Sequence, residues 1–405
     1  MTQASRLEKT AVSPKAWTML GIGVAAQAAG TVFVSTPAFL IPLLHSEHGL
    51  SLTQAGTLAA APTFGMVLTL VAWGAMADRF GEKWVISIGL CLTAIAALAA
   101  TTTDNYTLLG IAFLLGGMAA ASTNAASGRV VVGWFPKDRR GLAMGIRQMS
   151  QPLGVTIASL TIPTLAANVG IGSAVGLSVA LNGVLALICA VALINPPRPA
   201  ARPTDIPVET VNPYRSNWFL WRIHVVSALL VFPQFTLSTF GLVWLISEQG
   251  WDAAPAGLLI GISQFVGALG RIVVGIWSDR AGSRVGPLRL VAVSASAVML
   301  AMAAMAAAGT APWGVPALIL LLATTISVAD NGLAFTSVAE AAGPKWQGKA
   351  LGAQNTGQFI AASAVGPVVG ALIGAVGYPL AFAIVAAFPA AAIPLVPSRD
   401  RDISV

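Results

Sequence analysis

The chain has 405 residues, 56% of them hydrophobic and only 9% charged, with a mean hydropathy of +0.80. That balance excludes an ordinary soluble globular domain and assigns most of the chain to a bilayer. The net charge of +7 does not point to nucleic acid, because the basic residues are dispersed over short loops and tails and form no single patch.

Crossing the hydrocarbon core takes about 20 apolar residues in a helix, and runs of that length recur throughout the sequence. The polar leader has no Ala-x-Ala cleavage site, and the apolar run after it is too long for a signal-peptide core, so the first span is expected to be retained. The predicted spans are 17–43, 55–77, 84–102, 107–134, 141–167, 172–194, 218–247, 255–278, 287–308, 313–341, 349–375 and 378–396. Between the sixth and seventh lies "PPRPAARPTDIPVETVNPYRS", a polar, Pro-rich passage that reads as a linker. The expected domains are therefore 1–197 and 217–405, joined by 198–216. Cys91 and Cys189 fall inside apolar spans and read as small hydrophobes, with no disulfide expected.

Charge tests this topology independently. If the N-terminus is cytoplasmic, 18 of the 22 Lys and Arg fall in cytoplasmic loops or tails, and none in an outward loop. The other four, Arg129, Arg147, Arg222 and Arg271, lie within or at the edge of spans. This is the positive-inside asymmetry, and it predicts a multi-pass protein of the cell membrane with both termini cytoplasmic.

The two halves repeat one another. "GAMADRFGEK" (Gly74 to Lys83) returns 201 residues later as "GIWSDRAGSR" (Gly275 to Arg284), and "RRGLAMGIRQMSQ" (from Arg139) returns 207 residues later as "WQGKALGAQNTGQ" (from Trp346). At the same offset Gln27 corresponds to Gln234 and Asn124 to Asn331. Two parallel six-helix units are the simplest reading of this pattern.

GxxxDRxGxK with its partner GxxxDRxGxR, together with "WFPKDRRGLAMGI", resembles the loop signatures of the major facilitator superfamily, and the likeness extends over span count, linker and orientation. The resemblance implies an all-α membrane protein of 12 transmembrane helices in two pseudo-symmetric bundles that rock about a central site. Physically, Gly74 and Gly275 permit close helix approach, Gly81 and Gly282 a tight turn, and Asp78 and Asp279 can accept hydrogen bonds. By resemblance, Asp78, Arg79 and Lys83, and in the second copy Asp279, Arg280 and Arg284, belong to a latch between the inner ends of the bundles. The alternative for such a cluster is a solvated, positive-inside turn. Glu340 and Arg129 lie nearer the inner ends of their spans, and Arg129, 140° around its helix from Asn124, is assigned to the latch region and not to the cavity.

Polar side chains at bilayer depth are costly unless partnered or wetted, so they face the bundle interior. Spans 1, 4, 7 and 10 line the cavity in this family, which makes Gln27, Asn124, Gln234 and Asn331 candidate substrate contacts, with interhelical hydrogen bonding as the alternative. Arg147 and Gln151 share one face of span 5, and Gln354 and Gln358 repeat that face on span 11. Arg147 lies about 10 Å beyond Arg140 along the helix, and it either binds an anion or acts as a strut. Arg271 sits about 12 Å from Asp279, and "GRIVVGIWSDRAGSR" resembles span 8 of the oxalate and monocarboxylate branches, where an arginine meets the substrate carboxylate. A structural ion pair is the competing role. The acid that the monocarboxylate branch places one turn earlier is Gly267 here, and the first-half counterpart of Arg271 is Leu70. Asp330 lies near the middle of span 10, where burial favours the neutral acid and a neighbouring arginine the carboxylate. It is the candidate proton-coupling site, with a fixed ion pair to Arg147 or Arg271 as the alternative. His224 beside Trp221 reads as an interfacial residue.

No HExxH, GxSxG, phosphate-cradling loop or metal-ligand cluster occurs, so neither an enzyme nor a cofactor or metal is expected. The expected function is alternating-access transport of a small organic anion coupled to protons, by a monomer in the lipid bilayer. The alternative is proton-driven efflux of drugs or hydrophobic compounds. Against it, Phe113 stands near the place where drug antiporters carry an arginine, and "RQMSQPLGVTIASLTIP" departs from their Gly-Pro-rich run.

Overall fold

The computed structural model describes residues 12–135, 143, 146–196, 212–216, 218–343 and 346–400, without the side chains of Asp78, Arg129, Val132, Ser216 and Gln347. Residues 197–211 and 217, the loop "PKDRRG" and Lys345 lie outside the described residues, so the predicted boundaries at 197/198 and 216/217 fall on or beside them. Sequence chemistry sets the helix starts. Ser13 accepts the Ala16 N–H ahead of Pro14 to open α1 (Pro14–Ser46). Ser51 and Gln54 form a capping box on α2 (Leu52–Phe80). Then come α3 (Glu82–Thr101) and α4 (Tyr106–Trp134), the latter capped by the Asn105 side chain. α5 (Ser150–Val169) belongs to a span reaching back to Ile146, and α6 (Ile171–Ala192) closes the first half.

The second half holds α7 (Phe219–Ser247), α8 (Ala253–Ala281) and α9 (Val285–Ala308). α10 has two arms, Gly314–Ser327 and Asp330–Ala342, parted at Val328 and Ala329. A final helical stretch runs over Gln347–Leu395, 49 residues. At 1.5 Å per residue that is about 74 Å, more than twice the ~30 Å core. Gly377, at φ 76° and ψ 169°, breaks it into α11 (347–376) and α12 (378–395). Among the described residues eleven helices are long and apolar enough to span, and the break at Gly377 in the last of them accords with the twelve crossings expected.

Among the described residues the two halves pack together most extensively at one end. At the end opposite the DR motifs, one hydrophobic cluster runs through both halves, from Phe33, Leu40 and Phe113 to Phe240, Trp244 and Phe382. Toward the motif-bearing, basic end the core divides into a first-half cluster around Trp73, Ile86 and Leu90 and a second-half cluster around Leu220, Leu288 and Leu333. α2 packs against α11, α5 against α8 and α1 against α7. In lipid, apolar side chains give little drive for helix association, and close backbone approach through small residues does much of that work. A Cβ added at Gly56 or Gly366 would strike the other residue's carbonyl oxygen, and one at Gly257 would strike that of Ser159. Thr156 Oγ1 also donates to Gly261 O across the halves at 3.3 Å.

Substituting Gly366→Leu is therefore expected to open this far-end joint. Overpacking of about 1.4 kcal/mol shifts a two-state balance tenfold. The check is labelling of a cysteine placed at Ser238, in a Cys91→Ser, Cys189→Ser background, by an impermeant maleimide added at the far end. Unchanged labelling would count against the joint.

Candidate functional site

Between the halves lies a cavity of about 130 Å³ walled by α1, α2, α4 and α5 on one side and α7, α8 and α11 on the other. Four of the sequence candidates line it: Asn124, Gln151, Gln234 and Arg271. Gln264 joins them, and the sequence reading passed over it. Its signal was available: Gln264 precedes Arg271 by seven residues, two helical turns, and so shares its face of α8. Phe39, Phe235 and Phe359 add apolar wall.

The first-half polar residues form a chain. Gln27 Nε2 donates to Asn124 Oδ1 at 2.9 Å, and Ser127 Oγ donates to Gln27 Oε1 at 2.9 Å. Arg147 Nε donates to Ser127 Oγ at 2.9 Å and its Nη2 to Asn124 O at 3.3 Å. Arg147 thus ties α5 to α4 inside one half, while Gln151 one turn on faces the cavity.

The second half repeats the central pair. Asn331 Nδ2 donates to Gln234 Oε1 at 3.1 Å, and Gln358 Nε2 donates to Asn331 Oδ1 at 2.9 Å and to Ser227 Oγ at 2.6 Å. Gln354 turns away to α7, where its Oε1 meets His224 Nδ1. The other nitrogen of His224 pairs with the Tyr214 hydroxyl at 2.9 Å, so His224 is half-buried between the end of the linker and α11.

Arg271 occupies a different position from Arg147. Its Nε donates to Val328 O at 3.0 Å, capping the first arm of α10 at the helix end where carbonyl dipoles favour a cation. Its two terminal nitrogens make no hydrogen bond to the described residues, on a side chain that lines the cavity. Asp330 begins the second arm, 1% exposed, and neither carboxylate oxygen accepts a hydrogen bond of normal geometry. The backbone N–H groups of Asp330 and Asn331 and the charge of Arg271 are the favourable groups close to it. The two side chains form no ion pair within 4 Å, which leaves the fixed pair considered for them unmade. The gap in α10 brings both together, since it supplies Val328 O to one and a helix N-terminus to the other.

At the basic end, the second motif copy forms a cluster within its own half. Arg284 pairs with Asp279 and, at 3.2 Å, with Glu340, while Asp400 accepts from Ser283 Oγ and from the N–H groups of Arg284 and Val285. Burial alone would lower the pKa of Arg284, but the hydrogen bonds and charges of Glu340 and Asp279 outweigh it and hold it above its ordinary value. Arg280 is exposed. In the first copy Arg79 lies over the Phe80 ring and Lys83 over that of Trp84. A Cβ at Gly74 or Gly275 would meet open space, so the close approach read into these two glycines is not made in this arrangement, where the halves part at that end.

Gly81 and Gly282 both hold positive φ, 88° and 60°. They differ in surroundings: a Cβ at Gly81 would collide with the Asn195 side chain, whose Oδ1 accepts the Lys83 N–H at 2.8 Å, and one at Gly282 meets nothing. Gly81→Ala is expected to cost about 2 kcal/mol and lower the melting temperature by several degrees, while Gly282→Asn stays near neutral. Equal losses by differential scanning fluorimetry would contradict this.

A cavity with amide and guanidinium side chains on its wall, set between two halves made of membrane-length helices, is the arrangement of a membrane transporter. The family model described as Major Facilitator Superfamily matches residues 20–367. The chain is 44% identical over 383 residues to an uncharacterized MFS-type transporter, Rv2994, of Mycobacterium tuberculosis (strain ATCC 25618 / H37Rv), covering 95% of this chain and 85% of the relative. It is 25% identical to the probable sulfoacetate transporter SauU of Cupriavidus necator, over 85% of this chain and 84% of that one. Among solved structures, a bacterial homologue of the human lysosomal transporter Spinster, in an inward-facing and occupied conformation, superposes with a TM-score of 0.79 over 95% of this chain and 97% of that chain, at 14% identity. This chain belongs to the major facilitator superfamily and is a multi-pass membrane transporter, not an enzyme.

Proposed function

We propose that the protein carries a small organic anion across the cell membrane together with a proton, and that the state described here is open toward the cytoplasm. The single observation that carries this reading is Arg271, which lines the central cavity and whose terminal nitrogens make no hydrogen bond to the described residues. A guanidinium fork matches a carboxylate or sulfonate through two charge-assisted hydrogen bonds. Gln151, Gln234 and Gln264 can hydrogen-bond the remaining oxygens. The likeness to a probable sulfoacetate transporter, and to a probable nitrate/nitrite antiporter of Thermus thermophilus at 27% identity over 60% of this chain, adds support, since both names describe anions.

Charge balance gives the coupling. With the cavity empty, Arg271 supplies the favourable field for a buried Asp330. A bound anion claims that guanidinium, and Asp330 then takes up a proton, so anion and proton cross as a neutral pair. The basic end is assigned to the cytoplasm by the positive-inside rule, with both termini there. A second reading, proton-driven efflux of drugs or hydrophobic compounds, draws on Phe39, Phe235 and Phe359 in the wall. Proteoliposomes with an imposed pH gradient separate the two. Accumulation of a labelled organic acid that collapses with a protonophore supports anion–proton transport, and accumulation of hydrophobic cations alone would replace it by efflux.

A further inference from the structure

A second cavity, of about 610 Å³, opens sideways at the far end between α4 and α11, with α2 as its floor. Its wall from the first half carries Gln54, Thr57, Phe64, Tyr106 and Ile111, and its wall from the second half Ser363 and Pro367. The groove is therefore continuous with the α2–α11 joint, where Gly56 and Gly366 touch.

Three observations identify what fits it. The first is length: from Thr53 to Phe64 is eleven residue steps along one helix, about 17 Å, which is about half of the ~30 Å core and the depth of one leaflet. The second is polarity along that length. Gln54 and Tyr106 stand at the helix starts, at headgroup level where tyrosine is favoured, while Phe64 and Ile111, 48% and 47% exposed, lie deeper. The third is hydrogen bonding: Thr57 Oγ1 donates to Thr53 O at 2.7 Å and Ser363 Oγ to Ile360 O at 2.8 Å. Those two hydroxyls are satisfied on their own helices, so the remaining donors, on Thr53, Gln54, Tyr106 and Thr107, gather at the helix starts and the deeper part of the groove offers hydrocarbon.

We propose that this groove seats one acyl chain of a phospholipid from the far-end leaflet, the outer leaflet in the orientation proposed above, so that a lipid bridges both halves at their joint. The central cavity plays no part in this site, and its assignment to anions can fail without affecting it.

The test uses the full chain in lipid nanodiscs doped with a phosphatidylcholine that carries a diazirine midway along one acyl chain. After photolysis, adducts are mapped by peptide mass spectrometry. Adducts on α2, α4 and α11 groove residues are expected to exceed, several-fold, those on the α6 face around Leu187, which is 70% exposed. Gly110→Phe should fill the groove, since a Cβ there meets only the Leu58 side chain at 3.1 Å. It should cut the groove adducts several-fold, and Leu187→Phe should not. Should Gly110→Phe fail to fold, Thr57→Phe, at an exposed groove position, gives the same readout. Adducts spread in proportion to lipid exposure would overturn the proposal, as would recovery of a second copy of the chain cross-linked over the groove.

Discussion

Arg271→Ala is expected to weaken binding of the transported anion about 100-fold, because one desolvated guanidinium fork contributes about 3 kcal/mol to holding a carboxylate-sized group. Arg271→Lys should recover only part of this, since an ammonium cannot fork onto two oxygens. Two complications are separable. The substitution also removes the cap on Val328 O and the charge nearest Asp330, so some loss of stability accompanies it. Adding Asp330→Asn to Arg271→Ala should restore the melting temperature without restoring the affinity. Isothermal titration with the best organic acid from an uptake screen checks both effects, and binding unchanged in Arg271→Ala would remove this residue from the site. Arg147→Gln offers the contrast. Its guanidinium is spent on Ser127 and Asn124, so the main result expected there is lower stability.

Asp330→Asn should uncouple the carrier from protons. An asparagine keeps the shape of the buried side chain but takes up no proton over the working pH range. Acceleration of net uptake by an inwardly directed proton gradient is therefore expected to vanish, while exchange of labelled for unlabelled solute, which needs no net proton movement, continues. Comparison of gradient-driven uptake with counterflow in the same vesicles measures the split. Uptake that still followed the gradient would move the coupling site elsewhere.

Much of this architecture was legible in the sequence, and particular residues explain why. Hydrocarbon thickness fixes the length of an apolar run, and the placement of Lys and Arg fixed where the runs end, so the twelve crossings could be counted even though the last two form one continuous helical stretch up to Gly377. The offset of 207 residues paired Gln27 with Gln234 and Asn124 with Asn331, and each amide proves to hydrogen-bond its neighbour within its own half. Periodicity assigned Arg147 and Gln151 to one face, but it could not say that α4 would present Ser127 to the first and the cavity to the second. Gln264 lies on α8, outside spans 1, 4, 7 and 10 that the family resemblance marks as cavity-lining, and only its distance of two helical turns from Arg271 links it to the site.

Two features had no sequence signal of their own. The gap in α10 falls at Val328 and Ala329, with neither Pro nor Gly to mark it, and it is accompanied by Arg271 on one side and Asp330 on the other. The far-end joint depends on which of 41 glycines meet across the halves, and that is a property of packing, not of spacing. Gly74 and Gly275 carry the family spacing but stand apart here, in keeping with a core that is continuous at one end and divided at the other.

The most direct measurement is uptake into proteoliposomes from a panel of radiolabelled mono- and dicarboxylates, sulfonates and inorganic anions, run in parallel with wild type and Arg271→Ala at matched reconstitution. The account predicts saturable accumulation of at least one small anion by the wild type and near-complete loss in the variant. Accumulation that Arg271→Ala leaves intact, or a wild type that moves only neutral or cationic compounds, would contradict it.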